Sequence, residues 1–478
     1  MILPDDTPAS PSKTTRHLPA VPIEHPPPPA YPGNSSHQAA QPVYGGTTPL
    51  ISATPVPHSD YVRRTRRRFL KSLAIALLIY LLTITFFSSL IDSSGHSRRR
   101  HHWNEADLDD EDARVPSDPT KGDGVEQHCV YSPSDWERSG DGQYATSFDL
   151  PLSSKVLYLF TSGAWSNGDV EVVQDPTLNE GDKVRMDILL ATSRSWAEDE
   201  LKVCSLQRRP GENGVGIFTP LRRGIDYSFR FSIAVRIPAQ RHSMNISAFE
   251  AKTPKFSYVF NNVLPGLVFN SLTIETTNGE ISTPDLVVGS ARLQTTNRRI
   301  LGSITASSSL QLDTTNSPLE GFVTLLSDNG DTYTKLQMKT TNGHIMSFVS
   351  LNSTSSSGKG GRFSVSAKST NDPLQVNIHS APLESHIDFN GESTNAPTTV
   401  TLPRTFEGSL NVRSTNAHNY LYQDENAEDP AGKGRTRTVT LRGLKQILQG
   451  YVYWEKGGEK RGSVTVQTTN SPALIKLS

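Results

Sequence analysis

One phrase returns eight times in this 478-residue chain, and it restricts the fold more than any other feature. It reads Leu272-Thr-Ile274-Glu-Thr-Thr-Asn278, Leu310-Gln-Leu312-Asp-Thr-Thr-Asn316 and Leu336-Gln-Met338-Lys-Thr-Thr-Asn342, and with small changes it ends again at Asn297, Asn371, Asn395, Asn416 and Asn470. The pattern is apolar-x-apolar-x-[Ser/Thr]-Thr-Asn. An apolar residue usually follows three places on, as at Ile281, Ile300, Leu319, Ile345 and Leu374. Successive asparagines stand 19, 19, 26, 29, 24, 21 and 54 residues apart. A period of ~20–30 residues without helical patterning predicts an all-β solenoid, because one such unit cannot bury its apolar face alone and must stack on its neighbours. The expected form is parallel-β-helix-like, with a single strand per repeat.

Alternation along a strand assigns the faces. Leu272 and Ile274, Leu310 and Leu312, Leu336 and Met338, Val365 and Ala367, Leu410 and Val412, and Val464 and Val466 point inward and form one apolar column per position. The intervening column holds Glu275, Gln294, Asp313, Lys339, Lys368, Glu392, Arg413 and Gln467, a polar set of mixed sign that reads as a solvent face. Asn tolerates left-handed backbone better than most residues, and Asn278-Gly279 and Asn342-Gly343 are turn signals. The phrase therefore closes each strand at a corner. In a stack each Asn lies above its copy, so its amide can donate and accept along the column. This structural role explains the repeat without invoking a binding motif.

Hydrophobic residues are 35% of the chain, low for one packed globule, so a folded part beside a disordered one is expected. Residues 1–62 are rich in Pro, Ser and Thr and predict a disordered tail. Within it, Pro28-Pro29-Ala30-Tyr31 is a PPxY motif, of the kind that WW domains grip as a polyproline II segment. Residues 63–71 carry Arg63, Arg64, Arg66, Arg67, Arg68 and Lys71. Residues 73–91 then hold no charge, Pro or Gly. A helix of ~20 apolar residues spans a bilayer, and 70–91 is read as that helix. The larger basic cluster precedes it, so the N-terminus is expected in the cytosol and the C-terminal part outside, as a single-pass type II protein. Residues 92–128 form a charged stalk, with Arg99-Arg100 resembling a dibasic cleavage site. From 129 to 262, short apolar runs such as Val156-Leu-Tyr-Leu-Phe160 predict a β-rich cap before solenoid repeats at 263–478.

Two cysteines, Cys129 and Cys204, are too few for a disulfide scaffold or a cysteine zinc site. Outside the cytosol they could form one bridge, and the alternative is two unpaired thiols. Sequons at Asn245 and Asn352 would then be open to glycosylation, whereas Asn34 would face the cytosol. Loops at 353–361 and 424–434 interrupt the repeat and are where recognition would be sought. A net charge of −1 gives no reason to expect nucleic acid as a partner. Asp285, Asp313, Asp328, Asp331, Asp372 and Asp388 are scattered over different repeats, and Asp328-Asn-Gly-Asp331 reads as a hairpin turn. No metalloprotease, hydrolase or nucleotide motif stands out, so no catalytic residue, metal ligand or cofactor is assigned. Gly211-Glu-Asn-Gly-Val-Gly-Ile-Phe-Thr-Pro220 lacks the phosphate-loop lysine and reads as a glycine-shaped turn beside a strand.

The strands ending in Thr-Thr-Asn-Gly-x-Ile resemble the "putative-adhesin" β-solenoid family of unknown function. The order of Pro-rich tail, basic cluster, span, Gly211–Pro220 segment and solenoid resembles fungal single-pass proteins of that kind, over roughly residues 150–478. The resemblance implies a solenoid and no defined catalytic residues. The expected function is therefore non-enzymatic: a membrane-anchored protein displaying a rigid solenoid toward cell-wall or matrix polysaccharide or other surface partners. Its expected neighbours are the lipid bilayer and, on the cytosolic side, a WW-domain protein. A polysaccharide-active enzyme on the same scaffold, and an adaptor for a WW-domain ubiquitin ligase, are the alternatives.

Overall fold

A computed structural model describes residues 118–478, apart from 140–142, 179–181, 193–199, 221–228, 240–242, 262–265, 329 and 444. The PPxY motif, the basic cluster, the candidate span at 70–91 and most of the stalk lie outside those residues. No helix among the described residues is long and apolar enough to cross a membrane.

The described residues form 27 strands, nearly all joined to a neighbouring coil by parallel pairing in the repeat region. Each coil contributes two strands. A leading strand runs into the Thr-Thr-Asn corner, and a leaving strand runs out of it. In one coil Thr334–Lys339 leads and Ile345–Ser353 leaves. Leu336 pairs with Leu310 on one side and Val365 on the other, while Ile345 pairs with Leu319 and Leu374. All leading strands thus build one sheet and all leaving strands a second. The expected single strand per repeat is corrected to two. The reason lies in the sequence: at ~3.3 Å per residue a repeat of 19 residues is far longer than one strand. The apolar residue three places after each Asn begins a second buried alternation (Ile345, Val349, Leu351).

Coil length decides whether loops form. Where the spacing is 19 residues, the strands Ile281–Gln294 and Ile300–Asp313 run continuously through both sheets, with a register shift within Ile281–Gln294. Where it is 29, the surplus is extruded as the loop at 354–361. The inward columns are buried throughout: Leu272, Ile274, Leu336, Met338, Val365, Ala367, Val412 and Val466 are all 1% exposed or less. They join one continuous core running from Val130 to Leu477.

The corner works differently from the sequence expectation. Glu384 is the one non-glycine residue among those described with positive φ, so the motif asparagines are not left-handed. They are there for the ladder. Asn297 Nδ2 donates to Asn278 Oδ1 at 2.7 Å, Asn316 to Asn297 at 2.8 Å, Asn342 to Asn316 at 2.8 Å and Asn371 to Asn342 at 2.6 Å, and the column continues through Asn395, Asn470 and Asn416. The preceding Ser or Thr is buried and satisfies a corner carbonyl; Thr295 Oγ1 donates to Gly279 O at 2.8 Å. Gly279 is glycine because a Cβ there would lie 1.6 Å from the Phe256 carbonyl oxygen of the coil below.

The stack does not follow chain order at either end. Gly462–Thr468 pairs with His386–Ser393 on one side and Gly408–Ser414 on the other. The C-terminal segment is therefore inserted between two coils that precede it in sequence. At the opposite end Val156–Ser162 lies between Glu212–Phe218 and Met244–Lys252. Met244–Lys252 in turn pairs in parallel with Leu267–Glu275, and Phe256–Asn261 with Ile281–Gln294, so the described residues between 129 and 262 include coils as well as a cap. The cap itself is antiparallel. Lys202–Arg209 and Val125–Val130 extend one sheet, while Lys183–Ala191 and Tyr144–Pro151 extend the other. Within the cap Arg236 bridges Asp175 at 2.8 Å and Asp187 at 2.6 Å. Hydrogen bonds from Thr177, then from Arg236, hold the Asp175 carboxyl down to about 2.

Two outcomes follow. Truncation after Arg461 removes the coil on which 408–453 is seated, so hydrogen exchange should show loss of amide protection in Gly408–Ser414, well upstream of the cut. Protection there equal to that of the full chain would contradict the inserted order. Asn342→Ala cuts the ladder at mid-stack and removes two exposed hydrogen bonds, so a destabilisation of about 1–2 kcal/mol is expected in denaturant titration.

Candidate functional site

The outer face of the leading sheet carries unbroken columns of reachable polar side chains. Its outward positions alternate with the buried ones by the pleat. Residues Glu275, Gln294, Asp313, Lys339, Lys368, Glu392, Gln467 and Arg413 stand in register across successive strands. The next outward column, two residues earlier, holds Arg292, Gln311, Gln337, Asn390 and Asn411 among others. Neighbouring strands lie ~4.8 Å apart, so amide and charged groups recur at that interval on a rigid surface. Some are already paired: Lys368 Nζ lies 2.8 Å from Glu392 Oε2, and Gln311 Nε2 donates to Asp313 at 2.6 Å.

Four surface depressions follow this one face. The first, about 280 Å³, is bounded by Tyr158, Phe160, Arg208, Glu250 and Lys252. A second of about 340 Å³ lies over Arg292, Gln311 and Lys339, and a third of about 410 Å³ over Lys368, Glu392 and Arg413. The fourth, about 870 Å³, lies at the far end beside Asn411, Gln449 and Tyr451. Together they span the sheet from the cap to its last strands.

At the cap end Tyr158 lies flat across Gly214 of the paired strand, where a Cβ would meet the Tyr158 ring at 2.3 Å. The glycines in Glu212–Phe218 therefore make room for aromatic rings, and Gly211 (φ 86°) turns the chain between antiparallel strands. The Tyr158 hydroxyl donates to Asp123 O at 3.0 Å, and burial, moderated by the Arg208 guanidinium, pushes it up to about 12. It is a neutral phenol at any working pH. Arg208 lies 4.1 Å from the ring centroid and is paired to Glu250 at 2.6 Å.

The sequence had pointed to the loops, and the structure shows both closed on themselves. At 353–361 the hydroxyls of Ser353 and Ser355 both donate to Lys359 O at 2.8 Å. At 424–434 the Asp429 carboxylate accepts from Arg435 at 2.7 Å and from the N–H groups of Ala431, Lys433 and Arg435. The Arg435 guanidinium and then these N–H groups hold the Asp429 carboxyl well below the usual carboxylate range. Asp328 accepts from Gly330 N at 3.0 Å, but the strands flanking that turn belong to different sheets and do not pair, so it is not a hairpin. The outward columns of the leading sheet, expected as a solvent face, are half-buried or exposed along their length.

Cys129 and Cys204 are direct cross-strand partners and are joined by a disulfide, Cα to Cα 4.1 Å apart. Glu126 lies close by, but the two sulfurs are bonded to each other and offer no thiolate to a metal. The bridge belongs to a small cluster with Tyr158, Leu206 and Phe218, of which Tyr158 also lines the first depression. Asn245 and Asn352 are both exposed.

Residues 290–427 match a family model described as a domain of unknown function, DUF7330. No curated protein matches the chain. Among solved structures, a "putative cell adhesion protein" from Clostridium sporogenes aligns over 70% of this chain and 100% of its own at 9% identity. Its TM-score of 0.14 is too low to define a shared fold.

The disulfide closes a loop of 75 residues. Replacing both cysteines by alanine should cost about 2–5 kcal/mol, read as a lower thermal midpoint, with the largest gain in hydrogen exchange at Val125–Val130. Unchanged exchange there would show that the strand holds without its staple.

Proposed function

We propose that this chain is a membrane-anchored, non-enzymatic protein that displays its solenoid outside the cytosol and binds an extended polymer, cell-wall or matrix polysaccharide, along the outer face of the leading sheet. The observation that supports this reading is the alignment of four depressions on one face lined by amide, hydroxyl and charged side chains. A polymer of hydroxyl-rich rings offers donors and acceptors at short repeat, and a rigid ladder can meet many of them without ordering loops. Anchoring rests on the uncharged run at 73–91 and its basic flank.

The test is co-sedimentation of the detergent-solubilised chain with insoluble wall polysaccharides. The expected result is retention of the wild type and at least tenfold weaker retention of the variant Gln311→Ala/Gln337→Ala, whose side chains are outward and do not support the core. Failure to sediment with any polysaccharide would sink the reading. Protease protection of the membrane-embedded chain checks the topology separately: the solenoid should be digested from outside and the Pro-rich tail spared.

A further inference from the structure

The leading sheet does not end at its last parallel coil. Gly408–Ser414 pairs on its open side with Ile447–Tyr453, which turns through Gly443 (φ 127°) to pair with Thr438–Arg442. Both pairings are antiparallel. The register places Tyr451 beside Ser409 and Thr440, and Gln449 beside Asn411 and Arg442. The hairpin thus continues the same outer face and bounds the largest of its depressions, about 870 Å³.

Three features separate this end from the rest. The first is aromatic surface. Tyr451 is 49% exposed, while the backbone of Thr440 closely approaches the preceding residue, Gly450, where a Cβ would fall 1.8 Å from the Thr440 carbonyl oxygen. The ring therefore stands on a fixed backbone and presents itself to solvent. Tyr453 follows on the same side of the strand and lines the same depression. The second is charge. Arg442, Lys456 and Lys460 line the depression against one acid, Glu459. Among the described residues no carboxylate lies within ion-pair distance of the three cations, although Lys460 and Lys456 act on Glu459 at longer range, and Glu459 accepts the Gly457 N–H at 2.7 Å. At the cap end the balance is the reverse: Asp123, Glu250 and Glu275 outnumber Arg208 and Lys252, and Arg208 is already paired. The face is polarised along its length, acidic at the cap and basic at the hairpin. The third is neutral donors and acceptors. Ser409 and Thr440 flank Tyr451, and Asn411 and Gln449 stand level with Arg442, all lining the same depression.

We infer that the hairpin end is a subsite for an acidic polysaccharide, a chain of sugar rings bearing carboxylates. A pyranose packs its C–H face on Tyr451, its hydroxyls meet Asn411 and Gln449, and carboxylates of successive rings face Arg442 on one side of Tyr451 and Lys456 and Lys460 beyond Tyr453 on the other. Three unpaired cations are far fewer than the run of phosphate contacts that nucleic acid demands. An aromatic ring set among amides and hydroxyls also suits a sugar better than a lipid headgroup layer. The inference rests on the proposed use of this face for polysaccharide, and it names the class taken at one end.

The experiment is equilibrium binding of the detergent-solubilised full chain to polygalacturonate and to a neutral soluble β-glucan, with anionic phospholipid vesicles and single-stranded DNA as further arms. The variants are Lys456→Glu/Lys460→Glu and Tyr451→Ala, all at exposed positions, with thermal melts confirming the fold. The expected result is preferential binding of polygalacturonate, weakened at least tenfold by the double charge reversal and several-fold by Tyr451→Ala. The neutral glucan should be unaffected by the charge reversal. Polygalacturonate bound equally by wild type and charge-reversed protein overturns the inference, and neutral-glucan binding in that same experiment would leave the broader face reading standing. Vesicles or DNA bound as tightly as polygalacturonate also overturn it. If the charge reversal abolishes acid binding while Gln311→Ala/Gln337→Ala has no effect on any polysaccharide, the hairpin subsite stands and the extended face does not.

Discussion

The structure depends on one constraint: every coil must meet its neighbour in the same register. The asparagine column enforces it. Seven side-chain bonds of 2.6 to 2.8 Å join the eight asparagines, and each inner amide donates to one neighbour and accepts from the other. Each bond is exposed and worth about 1 kcal/mol at most. Their selectivity matters more than their sum. A slip of one residue would turn the buried Leu and Val columns outward and also misalign every Asn. The core and the corner therefore demand the same answer, which is the consistency that lets one arrangement prevail.

That shared demand makes an out-of-order stack possible. Asn470 lies between Asn395 and Asn416 in the column, although it comes last in the chain. The inserted phrase Val464-Thr-Val466-Gln-Thr-Thr-Asn470 has the same faces as its neighbours, so either side of it is a valid mate. Placing it between two earlier coils ties the chain's end into the core. The hairpin takes the exposed edge of the leading sheet instead, where antiparallel pairing blunts an edge that would otherwise recruit further parallel strands. The disulfide-fastened strand Val125–Val130 occupies the matching position at the cap.

These features were unequally legible. The repeat, its inward columns and the vertical partnership of the asparagines follow from local pattern and side-chain chemistry. The second strand of each coil leaves only one regular mark in the sequence, the apolar residue at Ile281, Ile300, Leu319, Ile345 and Leu374, a weaker local signal than the phrase that precedes it. The left-handed corner was a propensity argument, and tertiary hydrogen bonding overrode it. The order of the coils could not be read locally, since every copy of the phrase is an equally good neighbour for every other. The long gap of 54 residues before Asn470 recorded an excursion without saying where it returned. The candidate site was hardest to see, because a face is a property of the stack: Gln311 and Gln337 are 26 positions apart in sequence and adjacent in space.

The outward face stays polar at every rung while its residues change from coil to coil. If it binds a polymer as proposed, the unbroken polar columns offer many registers, and selectivity would come from where the stacking changes. The face breaks twice, at Tyr158 and Arg208 beside the cap and at Tyr451 and Arg442 on the hairpin, and in both places antiparallel strands replace parallel ones. Antiparallel pairing brings residues distant in the repeat frame side by side, so it can set an aromatic ring next to a cation where the repeat would supply another Gln or Ser. At the cap end Arg208 is paired to Glu250, while no carboxylate among the described residues lies within ion-pair distance of the hairpin cations. The same devices that stop the solenoid from growing therefore also give its polar face a direction.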